Sequence, residues 1–482
     1  MNPRLVLRVG GQLLSVMVVF LLVPLIIGVV DGDRRSMLAY GATIGATVVT
    51  GRLFQYAGRR AGDARLHRKD AFGIVGLIWV CLGGFGAVPL LIDGAVTDVP
   101  GAIFESMSGF TTTGATVIGD VDGVSRASNM WRCLMHWIGG MGIVVLFVAV
   151  FPHLGVGAKQ LFRTEVPGPT SEGLRPRIRH TAMILWWIYA GLTALCTALL
   201  WLFGMELYDA VAHAFSTLGT GGFSTRTASV GHWESTAIHW TVAGFMFIAA
   251  TNFALYYVAA RGRWRQLFGN TELRFYLAVN VVVIAVVMLA ILGSHDTPLD
   301  DLRHATFQTL AVSTTTGFMT EDFDTYPDIA RMLLLGLMFM GGCAGSTAGG
   351  IKVVRILILG RVAIDEARRV VSPQMISTVH LGPSFIPPQV VAGIMVFVVA
   401  YLGIFVIASF LLAAMGVDLM TAMSAAIACL SSIGPGLDGV GPSQNYGAIP
   451  AAGKLILSFC MVAGRLEIFA LFALFTRDCW RR

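Results

Sequence analysis

Four short stretches of small and hydroxyl residues recur in this 482-residue chain. They read Thr111–Thr112–Thr113–Gly114, Gly219–Thr220–Gly221–Gly222–Phe223, Thr314–Thr315–Thr316–Gly317–Phe318 and Ser431–Ser432–Ile433–Gly434–Pro435–Gly436. None contains a carboxylate. What they offer is backbone carbonyls and neutral side-chain oxygens. Four such segments around one axis would form oxygen rings able to replace the hydration shell of a large monovalent cation. A divalent-cation pore would carry a ring of Asp or Glu, and a dehydrated anion would meet the wrong dipole sign.

Spacing ties the four together. An acid stands 16 residues before each glycine: Asp98, Glu206, Asp301 and Asp418. An alanine follows each acid by four (Ala102, Ala210, Ala305, Ala422), and a hydroxyl precedes each glycine by two (Thr112, Thr220, Thr315, Ser432). An acid at the start of a short helix caps its free N–H groups and complements the dipole. Pro100 suits the first turn of the first helix. The alanine permits close packing, and glycine lets the chain leave in a conformation that a Cβ penalises. One unit alone reads as an ordinary helix end; four in register read as an internal repeat.

The elements that must position these stretches belong in a membrane. The chain is 55% hydrophobic and 13% charged, with mean hydropathy +0.73, whereas soluble domains carry roughly 25% charge. Apolar runs long enough to cross about 30 Å of hydrocarbon predict ten spans, near 9–30, 37–57, 71–92, 131–152, 181–203, 236–258, 274–293, 331–360, 389–415 and 453–475. They are continuous rather than alternating, which argues against a barrel. Residues 9–30 are too long for a signal-peptide core and lack a small-x-small site, so they are expected to remain as the first span. The stretches after spans three, five, seven and nine hold helices of about half a membrane thickness at ~1.5 Å per residue. Such re-entrant helices are allowed only inside protein or beside a water-filled cavity.

Charge gives the orientation. Arg59, Arg60, Arg65, Arg68, Lys69, Lys159, Arg163, Arg175, Arg177, Arg179, Arg261, Arg263, Arg265, Arg274, Arg361, Arg368 and Arg369 fall between spans on one side, with Arg4, Arg8, Arg477, Arg481 and Arg482 at the termini. Acids dominate the other side, so both termini are expected in the cytoplasm. The net charge of +6 is read as this loop asymmetry, not as a nucleic-acid surface. The seven cysteines, Cys479 among them, include no Cys-x-x-Cys pair and read as reduced core residues. The expected fold is an all-α polytopic membrane protein: two N-terminal helices, then four helix–pore-loop–helix repeats around a pseudo-fourfold pore. Boundaries fall at 1–70 (leading helices), 71–179, 180–272, 273–387 (with a broken second helix) and 388–482.

Inside span eight, Gly341, Gly342, Cys343, Ala344, Gly345, Ser346, Thr347, Ala348, Gly349 and Gly350 hold five glycines, each costing a helix up to about 1 kcal/mol. The helix is expected to break there and face a water-filled pore. A phosphate loop is disfavoured because Ile351 separates Gly350 from Lys352. Arg465, deep in the last span, costs about 2.5–3.5 kcal/mol to insert, so it should find acceptors among the carbonyls freed at 343–350. In that position it would pin the loop and repel cations. Asn252 suits a pore wall or an ordinary interhelical bond. His136, His213 and His304 are read as helix-end residues rather than metal ligands, and Trp137, Trp186, Trp187, Trp233 and Trp240 as interface anchors. No nucleophile–base pair or ligand cluster supports an enzyme.

Span, re-entrant helix, filter and span, four times in one chain, resembles the Trk/Ktr/HKT superfamily of cation transporters, most closely its bacterial potassium-uptake branch. The likeness runs end to end. It is carried by Thr112–Thr113–Gly114–Ala115–Thr116, Trp137–Ile138–Gly139–Gly140–Met141–Gly142, His213–Ala214–Phe215–Ser216–Thr217, Thr220–Gly221–Gly222–Phe223–Ser224, Gly341 to Lys352, and Gly464–Arg465–Leu466–Glu467. In that superfamily glycine at all four filter positions accompanies potassium selectivity, while serine in the first accompanies sodium preference. The usual asparagine beside the fourth glycine is replaced here by Ser431–Ser432.

The resemblance implies an ion-contacting set of Thr112, Thr113, Gly114, Thr220, Gly221, Gly222, Thr315, Thr316, Gly317, Ser432, Ile433 and Gly434. Gly436 is the alternative fourth glycine, but lies 18 residues from Asp418. The implied gate is Gly341–Gly350 with Lys352 and Arg465. The superfamily further implies potassium as transported ion, no organic cofactor, a lipid-embedded homodimer in the bacterial cytoplasmic membrane, and a cytosolic ring of RCK-type, TrkA-like nucleotide-binding subunits. A solute carrier coupled to Na+ or H+ would instead show two inverted halves; a less selective K+/Na+ pathway is the nearer alternative.

Overall fold

The computed structural model describes residues 1–61, 68–150, 174–373, 379–382 and 384–477. Arg65, Lys159, Arg163, Cys479, Arg481 and Arg482 lie outside them. Helices α1 (Pro3–Val30) and α2 (Arg34–Gly58) form an antiparallel pair. Small residues bring the two together: a Cβ on Gly11 would lie 2.5 Å from the Gly51 carbonyl oxygen, and one on Gly58 2.5 Å from that of Arg4. Asn2 and Asp33 cap them through their side chains.

Each repeat then supplies a long helix, a short one, and a second long element. These are α3 (Arg68–Asp93), α4 (Val99–Phe110) and α5 (Arg126–Val150) in the first. In the second, α6 (Leu174–Leu202) and α7 (Leu207–Gly219) precede α8 (Thr236–Ala249) and α9 (Phe253–Ala260). A short α10 (Trp264–Phe268) leads to α11 (Thr271–Ala290), α12 (Pro298–Ser313), α13 (Asp328–Leu337) and α14 (Val353–Val371). The last holds α15 (Pro388–Ala414), α16 (Leu419–Ser431), α17 (Ala451–Arg465) and α18 (Phe469–Phe475). A two-residue strand pair, His380–Leu381 with Ser384–Phe385, joins α14 to α15. Val80, Trp187, Val399 and Phe410 are 70–74% exposed, an outward apolar surface that suits lipid.

Within the described residues all ten expected spans carry helix, but not all are continuous; positions 151–152 of the fourth lie outside them. Five described helices (Pro3–Val30, Phe72–Asp93, Met183–Leu202, Thr271–Ala290, Pro388–Ala414) are long and apolar enough to cross a membrane, and the α8–α9 pair, bent by 96°, is a sixth candidate. The break in span eight runs from Met338 to Lys352. Two further breaks were not expected. Asn252 ends the α8–α9 gap by capping α9, its side chain accepting from the Ala254 N–H at 2.9 Å. Span ten is interrupted at Leu466–Ile468, where Glu467 and Ile468 take φ of 54° and 56°, costly for residues with a Cβ.

The acid column is only half a cap column. Asp98 and Asp418 accept from the N–H groups of Gly101 and Met420, whereas Glu206 stands at the cap without a side-chain bond. In the third repeat the helix starts earlier, at Pro298, with Thr297 as cap, which leaves Asp301 inside it. Trp137 is not an interface anchor: it packs on Tyr189 and Trp186 and donates to Thr193 Oγ1 at 3.1 Å. The six described cysteines are free, and all but Cys81 are buried.

Candidate ion pathway

Each short helix delivers its glycine stretch in one conformation. Thr112, Thr220, Thr315 and Ser432 all take φ of 53–58°, and Gly114, Gly222, Gly317 and Gly434 take φ of 77–102°. The residue between turns its N–H back onto the helix: Thr113 to Ser108, Gly221 to Ser216, Thr316 to Ala311 and Ile433 to Ala428, all at 2.8–2.9 Å. Those bonds satisfy the carbonyls that a helix end leaves open and fix the extended segment that follows.

The four extended segments close a ring. A Cβ on Gly114 would stand 1.9 Å from the Gly221 carbonyl oxygen, one on Gly222 2.1 Å from Thr316's, one on Gly317 1.9 Å from Ile433's, and one on Gly434 2.7 Å from Thr113's. Each repeat thus touches the next, and the fourth returns to the first. Only glycine fits, for its positive φ and for this contact. Gly434, not Gly436, occupies the fourth place; Gly436 instead donates to the Val440 carbonyl at 2.7 Å.

Beneath the ring lies the irregular segment between α13 and α14. It folds on itself, the Gly341 N–H reaching the Ile351 carbonyl at 2.9 Å, and Lys352 Nζ the Ala348 carbonyl at 2.5 Å. Every repeat touches it or its anchor. The Gly349 N–H donates to Thr315 Oγ1 at 2.7 Å, and Thr347 Oγ1 to the Leu218 and Ala249 carbonyls at 3.1 Å. A Cβ on Gly349 would lie 2.1 Å from the Ser431 oxygen. Cys343 donates to the Ala250 carbonyl at 2.9 Å, and Gly345 accepts from the Phe253 N–H at 3.1 Å. Arg465, buried, donates to the Thr347 carbonyl at 2.8 Å and to that of Gly139 at 3.2 Å.

In sequence these residues match the description "TrkH: Cation transport protein" over residues 43–479. The chain is 40% identical to the "Trk system potassium uptake protein TrkH" of Halomonas elongata and 36% identical to that of Escherichia coli, each alignment covering 100% of both chains. A crystal structure of the potassium transporter TrkH from Vibrio parahaemolyticus superposes with a TM-score of 0.91 at 38% identity, again over 100% of both. The chain belongs to the TrkH family. It is therefore a membrane transport protein rather than an enzyme.

Several residues that hold this TrkH-family site were given no such role from the sequence: Glu105, Gln308, Ser424 and Glu272 were not singled out, and His213 and Glu467 stood only in motifs or at a helix end. Nine residues before the glycine, Glu105, His213 and Gln308 each bond the extended segment beyond it. Glu105 accepts from Thr116 Oγ1 and the Val117 N–H at 2.9 Å and pairs with buried Arg132 at 2.8 Å. His213 Nε2 meets Ser224 Oγ at 2.9 Å, and Gln308 donates to the Glu321 carbonyl at 2.9 Å. Ala425 holds the fourth place, and Ser424 does the work from the neighbouring position, donating to the Leu437 carbonyl at 3.0 Å. The signal was a polar column on an otherwise small-residue helix. Glu272 on α11 accepts from the N–H groups of Ala344 and Val354, at 2.7 and 3.1 Å, fastening both ends of the irregular segment. Glu467 pairs with Arg355 at 2.6 Å.

Proposed function

We propose that this chain takes potassium up across the bacterial cytoplasmic membrane through the ring of Gly114, Gly222, Gly317 and Gly434. The closed glycine–carbonyl ring supports that reading: each glycine abuts a backbone carbonyl of the next repeat, with no carboxylate among them, and a ring of backbone oxygens suits a dehydrated monovalent cation. The relatives' names supply the ion. Thr112, Thr220, Thr315 and Ser432 add hydroxyls at the inner edge, with Thr113, Gly221, Thr316 and Ile433 between, which completes the proposed contact set. The driving force is the membrane potential, about 2.3 kcal/mol per charge per 100 mV.

The segment Gly341–Gly350 is the gate in this reading, with Lys352 and Arg465 as its charges. Its direct bond to Thr315 and the Arg465 bond to Thr347 support a closed state pinned from α17. Both termini face the cytoplasm, the repeats divide at 71, 180, 273 and 388, and two copies pair in the membrane. Nucleotide control comes from cytosolic RCK-type, TrkA-like subunits docking on the basic inner loops. A less selective K+/Na+ pathway has one observation in its favour: at the fourth corner Ile433 replaces a polar or glycine residue, and Tyr446 Oη donates to the Gly434 carbonyl at 2.7 Å, engaging that oxygen. Vesicle flux with potassium, rubidium and sodium side by side tests both. Strong preference for potassium and rubidium supports the first reading; equal sodium flux supports the second.

A further inference from the structure

We propose that His295, His304 and Glu321 bind one zinc-type divalent ion where the third repeat turns into and out of its short helix. Their donor atoms lie within 4.8 Å of one another. Glu321 Oε2 is the centre, 2.7 Å from His295 Nε2 and 3.6 Å from His304 Nδ1. His304 is buried, while the other two are half-buried. Two imidazoles and one carboxylate with a free position form a ligand set that zinc takes readily. Magnesium and calcium prefer oxygen donors throughout.

The surroundings orient these ligands. His295 Nδ1 lies 2.7 Å from Asp301 Oδ1, whose side chain is fully buried. An imidazole tied in this way presents its other nitrogen to a metal. The second oxygen of Glu321 receives the Tyr326 hydroxyl. Three adjustments are needed, the first being that Thr320 Oγ1 must give up His304 Nδ1, now 2.9 Å away. Donors in a tetrahedral zinc site stand about 3.3 Å apart, from bonds of about 2.0–2.2 Å, so the two rings, stacked at 4.5 Å and 12°, must tilt toward one point. Arg303 must also release His304 Nε2, now at 3.2 Å; Asp300, 2.9 Å away, already pairs with it. The three ligands come from the loop before α12, from α12, and from the segment four residues past Gly317. A bound ion would therefore clamp the support of one corner of the glycine ring.

The test uses full-length protein in detergent, stripped of metal and freed of any affinity tag. It is titrated with cobalt(II), followed by visible absorption, and then with zinc in competition. The proposal expects one equivalent per chain, the intense bands of four- or five-coordinate nitrogen and oxygen ligation, and displacement by zinc. His304→Gln and Glu321→Gln should each weaken binding at least tenfold, and Asp301→Asn by 10- to 100-fold. Each variant is read only as a monodisperse sample, so if one fails to fold the others decide. No saturable binding, a weak six-coordinate spectrum, a thiolate-to-cobalt charge-transfer band, or variants that bind like the parent would overturn the site.

Discussion

The glycine ring and the segment beneath it touch each other yet are built on opposite plans. In the ring, one local design is used four times: the same φ pair, the same N–H turned back onto the helix, the same contact with the next repeat. The lower segment exists once, and its partners differ at every corner: Thr315 Oγ1 in one repeat, the Leu218 and Ala249 carbonyls in another, Arg465 from a third. Repetition makes each corner of the ring brace the next, so no corner can shift alone. A single-copy segment held by unlike bonds can be released by breaking a few of them. In this account the ring selects and the segment regulates.

That contrast can be broken at the ring first. Gly317→Ala places a Cβ against a carbonyl at 1.9 Å with φ of 77°, combining overpacking of about 1–3 kcal/mol with a left-handed penalty of about 1–2 kcal/mol. Rubidium flux in vesicles should fall more than a hundredfold. Gly434→Ala, with 2.7 Å of clearance, should fall less; an equal loss would mean that the four corners are not graded by contact. Glu105→Ala should come next, seen in stability rather than flux. It leaves Arg132 buried and unpaired, which costs about 3–5 kcal/mol, and a thermal shift in detergent measures it.

The lower segment should respond in the opposite sense. Arg465→Ala removes two charged hydrogen bonds, each worth ~1.5–3 kcal/mol net, and flux should rise at least tenfold. Unchanged or lower flux from well-folded protein counts against the pin. Glu272→Ala should raise flux by a few-fold, since the two bonds from the Ala344 and Val354 N–H groups are lost, and Glu272→Gln, which keeps an acceptor oxygen, should restore near-parental behaviour. A glutamine variant as active as the alanine one would show that Glu272 does not act through those N–H groups.

Much of the ring was legible because repetition multiplies a weak signal. One Thr-x-Gly is a helix end; four at equal distance from an acid are an architecture. The glycine run at 341–350 announced its own break. The other breaks carry no such run. Asn252 caps α9 in the usual way, but one asparagine in an apolar span reads equally as an interhelical bond. Glu467 and Ile468 hold positive φ where Glu467 pairs with Arg355, 112 residues away, and Ile468 is buried, which no local propensity encodes. The cap column failed at Asp301 because an acid near a helix start serves whichever partner lies closest, and Asp301 finds His295 and the Gly293 N–H instead, while Glu206 stands exposed at its cap position without a cap bond. Glu272 was invisible for a simpler reason. Its partners are backbone groups 72 and 82 residues away.

In the proposed pathway an alkali ion sits bare at the centre of the glycine ring. Anomalous diffraction from crystals grown in rubidium tests it most directly. A rubidium peak is expected on the shared axis between Gly114, Gly222, Gly317 and Gly434, lost or displaced in Gly317→Ala. Rubidium found only away from that axis, in protein that still transports it, would contradict the account.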